Sequence, residues 1–260
     1  MNYADGRMLA EVDDGVGLIT FNQPQKHNAM SVDMWEGLTR ILDEFDANDH
    51  VRVVVLTGAG SKAFVSGADI SQFDQTRANS DAQQEYDRLT SAGRAKLAAF
   101  GKPTIARIRG YCLGGGLGIA MWTDLRIASP DSAFGIPAAR LGIAYSYEMV
   151  RMLVSLVGPA HARRMLYTGA RIDAMEAQRI GLVNRVVPAE ELSDEVVDLA
   201  RTIADNAPLS VRAAKLAVNE VTKTESERDL DSVTAAVNTC FDSHDYREGR
   251  DAFKEKRAPR

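Results

Sequence analysis

The chain has little cysteine and no long apolar run. Cys112 and Cys240 are the only cysteines in 260 residues, which excludes a disulfide-rich framework and favours a reducing compartment. No apolar run approaches the ~20 residues that a membrane-spanning helix needs. The first residues also lack the basic and apolar segments of a secretory signal. We therefore expect a cytoplasmic protein with no membrane partner.

An excess of positive charge is also missing. Lysine and arginine total 31 against 36 aspartates and glutamates, so the chain as a whole gives no electrostatic reason to bind nucleic acid. The four histidines lack the spacing of metal ligands, and we expect no metal site: His27, His50, His161 and His244. The composition, 45% hydrophobic and 26% charged, is ordinary for a globular protein.

Three common glycine-containing motifs are absent as well. The dinucleotide fingerprint Gly-x-Gly-x-x-Gly/Ala fails from Gly114, because its last position is Ile119, and from Gly116, because its last position is Met121. Neither the P-loop that binds nucleotide phosphates nor the Gly-x-Ser-x-Gly motif of hydrolases occurs. These absences exclude the main sequence motifs for phosphate binding and for a serine nucleophile.

What the chain does have is a glycine-rich stretch at residues 110–118, in which five of nine residues are glycine. It lies between an apolar run at 103–108 and a helix-like run at 119–122. A second turn of the same kind, Gly-Ala-Asp-Ile at 67–70, follows a short apolar segment. Bare N–H groups at the start of a helix can bind an oxygen, either of a phosphate or of a group that gains charge during a reaction.

Two N–H groups that converge on one carbonyl oxygen form an oxyanion hole, which stabilises an enolate or a tetrahedral intermediate. The same two turns are also explained by positive φ angles and close packing, which only glycine tolerates. The spacing alone leaves both interpretations open.

The periodicity predicts an α/β layered fold. Helices are expected at 32–45 and 80–100, and the segment 133–147 is expected to be mostly loop. Strands are expected at 7–21 as a hairpin, and at 51–56, 63–66, 105–108, 124–128 and 182–187. Further helices are expected at 146–157, 159–168, 173–180, 189–206, 209–223, 226–241 and 243–256.

Two segments together resemble the signatures of the crotonase (enoyl-CoA hydratase/isomerase) superfamily. Residues 62–70 (KAFVSGADI) are similar to the first signature, and residues 102–116 to the second. Other similar segments extend the resemblance to nearly the whole chain: 22–30, 124–128, 134–135, 141–142, 181–187 and 253–257. The resemblance implies a spiral core of ββα units, residues 1–200, and a helical C-terminal region, residues 201–260, that forms homotrimers or hexamers.

The resemblance also implies an acyl-CoA thioester as ligand, with coenzyme A as part of the substrate and no prosthetic group. It assigns the two N–H donors to Ala68 and Gly115. The residues that it implies for CoA binding, some from the tail of the same or a neighbouring chain, are Lys26, Lys62, Ala68, Asp69, Ile70, Phe253 and Lys256. A solvated surface position remains an open alternative for each lysine.

The chain departs from the hydratases of this family at two positions. The hydratases use two glutamates as acid and base, and Gly118 and Ala138 stand at those positions here. General acid–base groups contribute about 10²–10⁴ in rate each. We therefore expect an enzyme that stabilises a thioester enolate but does not hydrate by the two-glutamate mechanism. The alternatives are a non-catalytic acyl-CoA binder or carrier, and a true hydratase.

Tyr145 is the side chain that we expect to face the acyl group, because some relatives place an acid at a similar distance after the proline. A tyrosine that merely fills space is the alternative. Ser146 is expected to cap the following helix, and Glu148 to lie in its first turn, where the helix dipole favours a carboxylate. The small residues Gly118 and Ala138 are expected to widen the pocket near the α-carbon.

Overall fold

A mixed sheet forms the centre of the fold. The computed structural model describes residues 1–69 and 80–259. Within these residues the main sheet has seven strands in the order β1-β2-β3-β4-β6-β8-β11. Their bounds are β1 (Asn2–Tyr3), β2 (Met8–Asp13), β3 (Val16–Phe21), β4 (Val53–Gly58), β6 (Thr104–Ile108), β8 (Leu125–Ala128) and β11 (Arg185–Val186). The first three strands pair antiparallel, and β3, β4, β6, β8 and β11 pair parallel.

A second sheet lies at the carboxyl ends of the parallel strands. Its order in the described part of the chain is β10-β9-β7-β5. The strands are β5 (Ala63–Val65), β7 (Tyr111–Leu113), β9 (Ala133–Gly135) and β10 (Arg171–Asp173). Because β5, β7 and β9 follow β4, β6 and β8 after short links, the chain repeats a strand–strand unit that leads into helical segments. This arrangement confirms the prediction of an α/β fold built from ββα units.

Helices cover both faces of the main sheet and form the C-terminal region. They are α1 (Val32–Ala47), α2 (Ser80–Ala99), α3 (Gly115–Trp122), α4 (Tyr147–Thr168), α5 (Ala174–Arg179), α6 (Leu192–Ala204), α7 (Pro208–Val221), α8 (Leu230–Asp242) and α9 (His244–Glu255). Helix α4 is interrupted as expected, because Gly158 before Pro159 has φ 74° and ψ 165°. Within the described residues, no helix combines the length and the apolar character needed to cross a bilayer.

The core has two parts because strand β4 is apolar on both faces. Val54 and Leu56 pack on the side of Trp35 and Leu38 from α1, whereas Val53 and Val55 pack against helix α6. These four residues of β4, Val53 to Leu56, are each at most 4% exposed. Burial on both faces is the usual state of a central parallel strand, and the run at 51–56, which is apolar except for Arg52, predicted it correctly.

Short strands account for most differences between the predicted and observed elements. The segment 133–147 is not mostly loop, because it contains β9 and a 3-10 helix at Pro137–Leu141. Strands β7 and β10 were not predicted, and β11 is shorter than the expected 182–187. A strand of two or three residues is too short for an alternation of apolar and polar residues to be recognised. Hydrogen bonds to the neighbouring strands therefore determine whether it forms, rather than its local sequence.

Candidate active site

The first predicted donor, Ala68, lies in a turn that is fixed on both sides. The N–H of Met30 donates to the carbonyl of Gly67 at 2.8 Å, and the N–H of Asp69 donates to the carbonyl of Met30 at 2.9 Å. Gly67 has φ 122°, a conformation that favours glycine. These bonds hold the peptide of Ala68 between them, while its own N–H makes no hydrogen bond with any described residue.

The second predicted donor, Gly115, is the first residue of α3. Gly114 is the N-cap, with φ 50° and ψ −119°, and its N–H donates to the carbonyl of Gly135 at 2.9 Å. The first N–H groups of a helix have no partner within the helix. The N–H of Gly115 is one of these and has no partner among the described residues.

The two turns lie side by side. A Cβ at Gly115 would lie 3.9 Å from the backbone nitrogen of Ala68, and one at Gly114 would lie 3.9 Å from the Cα of Gly67. Positive φ angles explain the glycines at 67 and 114, in agreement with the alternative interpretation that the two turns need glycine for their conformation. It does not explain Gly115, which has neither a positive φ nor a neighbour that excludes a Cβ. The absent side chain at 115 instead leaves the space beside both N–H groups open.

A cavity of about 980 Å³ opens in front of the two turns. Helix α3 presents Gly115, Gly118 and Trp122 to it, a spacing that places them on one helix face. The cavity therefore follows α3 for about 10 Å at 1.5 Å per residue. Trp35 from α1 also lines it, and the indole nitrogens of Trp35 and Trp122 are buried with no hydrogen-bond partner in the described structure.

The space beside Gly118 is filled rather than open. A Cβ at this glycine would lie 2.5 Å from the Cε methyl of Met149, which comes from the first turns of α4. Gly118 and Ala138 both line the cavity. The expectation of a wider pocket is therefore wrong at position 118, because a thioether occupies the volume that a longer side chain there would take.

Tyr145 lines the same cavity and contacts the glycine turn. Its hydroxyl donates to the carbonyl oxygen of Gly114 at 2.7 Å. The segment that carries it is shaped by the 3-10 helix, by Gly142 at φ 67° and by the N–H of Ile143, which donates to the carbonyl of Ala138 at 2.9 Å. The sequence indicated that Tyr145 faces the cavity, but it gave no sign of the bond to Gly114.

The residues after Tyr145 start helix α4. Ser146 is the N-cap residue as expected, although its side chain makes no capping hydrogen bond. Glu148 lies in the first turn, and it also lines the cavity. The backbone N–H of Val150 donates to the carbonyl of Ser146 at 3.0 Å, which closes the first turn of the helix.

One wall of the cavity is polar, and its residues were not predicted from the sequence. Helix α2 lines it with Asp87, Ser91 and Arg94 among others, and α4 adds Arg151. Arg94 donates to Thr90 Oγ1 at 2.8 Å, and Arg151 forms an ion pair with Glu227 at 3.5 Å. The three- and four-residue spacing of the α2 positions is the signal that could have placed them on one helix face.

The residues implied for CoA binding fall into separate places. Lys26 and the buried Asp69 come together in an ion pair with 2.7 Å between Nζ and Oδ2. Lys62 lies beside a smaller cavity of about 330 Å³. Phe253 in α9 is 85% exposed, and Lys256 follows that helix with φ 54°. Ile70, the remaining residue of the set apart from Ala68, lies outside the described residues.

Charged groups buried near the cavity support its framework. Arg126 donates to the carbonyls of Thr123 and Leu182 at 2.6 and 2.7 Å, and so holds the C-terminal end of α3. Burial lowers the pKa of Arg126 to about 10 and raises the pKa of the Cys112 thiol. A thiol with a raised pKa is a poor nucleophile. Within the described residues, no group of three or more potential ligands is placed to bind a metal.

The repeated strand–strand units, with two glycine turns that face one cavity, define a protein of the crotonase superfamily. The chain belongs to the enoyl-CoA hydratase/isomerase family, whose model matches residues 11–260.

Similar proteins cover nearly all of the chain. It is 36% identical over 250 residues to the short-chain-enoyl-CoA hydratase of Clostridium acetobutylicum, with 96% of this chain and 95% of that protein covered. It is 37% identical over 250 residues to the crotonyl-CoA hydratase of Syntrophomonas wolfei, with the same coverage of 96% and 95%. A crystal structure of an enoyl-CoA hydratase/carnithine racemase from Magnetospirillum magneticum superposes with a TM-score of 0.92 at 33% identity, covering 99% of this chain and 96% of that one.

Proposed function

We propose that this protein is an acyl-CoA enzyme that stabilises a thioester enolate with the N–H groups of Ala68 and Gly115, and that it does not hydrate by a two-glutamate mechanism. The observation that carries this proposal is a pair of N–H groups that have no partner among the described residues and lie side by side at one end of a large cavity. The family and the names of its members support a CoA thioester as the substrate class.

The chemistry follows from where charge develops. Loss of a proton from the α-carbon of a thioester, or loss of CO2 from a carboxylate on that carbon, leaves an electron pair that places negative charge on the thioester oxygen. Two N–H donors aimed at that oxygen bind the enolate more strongly than the uncharged ester, and the N-terminus of α3 adds a favourable dipole. Losing one such donor costs about 10²–10³ in kcat.

The two positions that hold glutamates in the hydratases argue against efficient hydration. Hydration needs one group to take a proton from water and another to deliver one to the α-carbon. Neither Gly118 nor Ala138 has a side chain that can give or take a proton, and the methyl of Met149 makes the wall at Gly118 apolar. Decarboxylation and double-bond isomerisation pass through an enolate, and thioester hydrolysis passes through a tetrahedral oxyanion. The two N–H groups could stabilise either kind of oxyanion with a different proton donor.

The proposed site for the CoA moiety lies at residues outside the cavity. We propose that Lys26 and Lys62 bind phosphate groups as point charges and that Asp69 and Ile70 lie against the adenine. The ion pair to the buried Asp69 holds the half-exposed Lys26 in place. Phe253 and Lys256 would complete this site from the tail of the same or a neighbouring subunit.

A panel of CoA thioesters tests the proposal. Enoyl-CoAs, saturated acyl-CoAs and acyl-CoAs with a carboxylate on the α-carbon are incubated with the protein, and the products are separated and identified by mass spectrometry. We expect turnover of at least one compound without efficient addition of water. Calorimetric binding with no turnover of any compound would favour the alternative, a non-catalytic acyl-CoA binder, which the missing glutamates also suit.

Gly115→Pro and Gly115→Ala form a matched pair for the N–H donor. Proline is tolerated at the first position of a helix. It removes the N–H and puts its ring Cδ in the place of the hydrogen, so that a thioester oxygen can no longer approach this nitrogen. Alanine keeps the N–H, and its Cβ would have ordinary contact at 3.9 Å. We expect Gly115→Pro to lose about 10²–10³ in kcat and Gly115→Ala to stay within about tenfold. Equal activity of the two variants would remove Gly115 from the mechanism.

A further inference from the structure

The hydroxyl of Tyr145 contacts the same peptide group that carries the proposed donor. It donates to the carbonyl oxygen of Gly114 at 2.7 Å. That carbonyl and the N–H of Gly115 belong to one planar peptide unit, in which the oxygen and the hydrogen point in opposite directions. A bond to the oxygen on one side therefore acts on the N–H on the other side.

This peptide unit needs to be held, because its flanking residues are both glycine. Glycine has the widest choice of backbone conformations, and Gly114 lies at φ 50° and ψ −119°. Its carbonyl accepts a second hydrogen bond from the N–H of Gly118 at 3.0 Å. Two donors on one carbonyl fix the plane of the peptide and hence the direction of the Gly115 N–H.

The bond also polarises the peptide. Hydrogen bonds in series strengthen one another, by about 10–30% per bond in condensed-phase estimates. A donor on the Gly114 oxygen draws electron density towards that oxygen and makes the Gly115 hydrogen more positive. The N–H then stabilises an enolate oxygen better, and the Tyr145 proton stays on its own oxygen throughout.

We propose that Tyr145 is a positioning residue that orients and polarises the Gly114–Gly115 peptide, and thereby the Gly115 N–H. The inference rests on the proposed function, because it assumes that this N–H binds the thioester oxygen. In this role Tyr145 is neither an acid–base group nor a residue that only fills space.

Isotope-edited infrared spectroscopy of bound butyryl-CoA, labelled with ¹³C at the thioester carbonyl, tests the inference without turnover. The carbonyl stretch of the bound thioester should lie below that of the free compound in wild-type protein. Tyr145→Phe should move it back towards the free value, while calorimetry gives a Kd within about twofold and kcat falls about tenfold, less than the about 10²–10³ for a lost donor. Tyr147→Phe removes a hydroxyl from an exposed neighbour and should change none of these values.

The outcomes separate the two proposals. A wild-type stretch equal to that of free butyryl-CoA would refute the proposed function itself. A lowered wild-type stretch that is identical in Tyr145→Phe would overturn the inference alone. The inference is also overturned if Tyr145→Phe removes one limb of the pH–rate profile and leaves the stretch unchanged, because Tyr145 would then be an acid–base group.

A second substitution covers the case in which Tyr145→Phe folds poorly or does not bind. Site-specific replacement of Tyr145 by 3-fluorotyrosine keeps the ring and makes the hydroxyl a stronger donor. The carbonyl stretch should fall below the wild-type value, and an unchanged stretch would overturn the inference.

Discussion

Met149 decides what position 118 can contribute to chemistry. Its Cε methyl lies 2.5 Å from where a Cβ at Gly118 would be. The place that a glutamate side chain would take in a hydratase is therefore an apolar wall here. The methyl is the far end of a flexible side chain, which can move or be shortened without disturbing the backbone. Position 118 can therefore accept a longer residue if Met149 is cut back.

Introducing two glutamates tests whether this wall accounts for the weak hydration that we propose. We expect the triple variant Gly118→Glu, Ala138→Glu, Met149→Ala to hydrate crotonyl-CoA at least about 10² faster than wild type, because acid–base groups contribute about 10²–10⁴ each. The loss of ultraviolet absorbance of the conjugated thioester measures the rate.

The matched control carries glutamine at positions 118 and 138 with the same Met149→Ala change, and it should gain nothing. If wild type already hydrates efficiently and the glutamates add little, the chain is a true hydratase with its acid and base elsewhere.

The sequence was informative about backbone donors and less so about contacts between side chains and the backbone. The turn motifs predicted two turns with free N–H groups, and the family resemblance proposed Ala68 and Gly115 as the donors. The structure brings those turns together. The bond from Tyr145 to Gly114 spans 31 residues, and the packing of Met149 on Gly118 spans as many. Neither leaves a local pattern, because only the fold determines which helix start meets which turn.

Helix α3 is placed by its contact with strand β5 rather than by its own propensity. A Cβ at Gly116 would lie 2.0 Å from the carbonyl oxygen of Val65 and 2.7 Å from its carbonyl carbon. These are backbone atoms of a buried strand and cannot move aside cheaply. The close approach brings the start of α3, with the Gly115 N–H, next to the turn that holds Ala68.

Gly116→Ala should therefore lower the stability of the folded protein, although alanine is the better helix former. We expect a loss of about 3 kcal/mol or more in the free energy of unfolding, at the upper end for overpacked sites, measured by urea denaturation. Gly249→Ala in α9 is the matched control, because no atom lies within 4 Å of its Cβ. It should be neutral or stabilising by about 0.5–1 kcal/mol. Equal stability of the two variants would show that α3 does not depend on this contact.

At the scale of elements, long periodic segments were predicted well. The 3- and 4-residue spacing in α1 identified its buried face, including Trp35, Leu38 and Phe45. The strands of the second sheet were the weak point, because Tyr111–Leu113 lies inside a glycine-rich stretch and pairs with strands far away in the chain. Hydrogen bonds to distant strands stabilise such short segments, and local propensity does not report them.

The whole molecule leaves apolar side chains exposed on its C-terminal helices. Helices α7, α8 and α9 pack in sequence on one another. Side chains that are 43–85% exposed lie on or beside them: Val218, Val221, Leu230, Val237, Phe241, Tyr246 and Phe253. Clustered exposed apolar residues mark protein interfaces. We therefore propose that residues 201–260 form the contact between subunits of a homotrimer or hexamer.

Phe241→Lys should weaken this assembly, because a lysine at an apolar interface must lose its hydration without a partner. Phe241 is 58% exposed in the single chain, so the monomer fold should tolerate the change. We expect the variant to sediment at a lower mass than wild type at micromolar concentration. Val12→Lys, at an exposed apolar position in β2, should sediment like wild type. If wild type itself sediments as a monomer, or if Phe241→Lys assembles normally, these helices do not hold the subunits together.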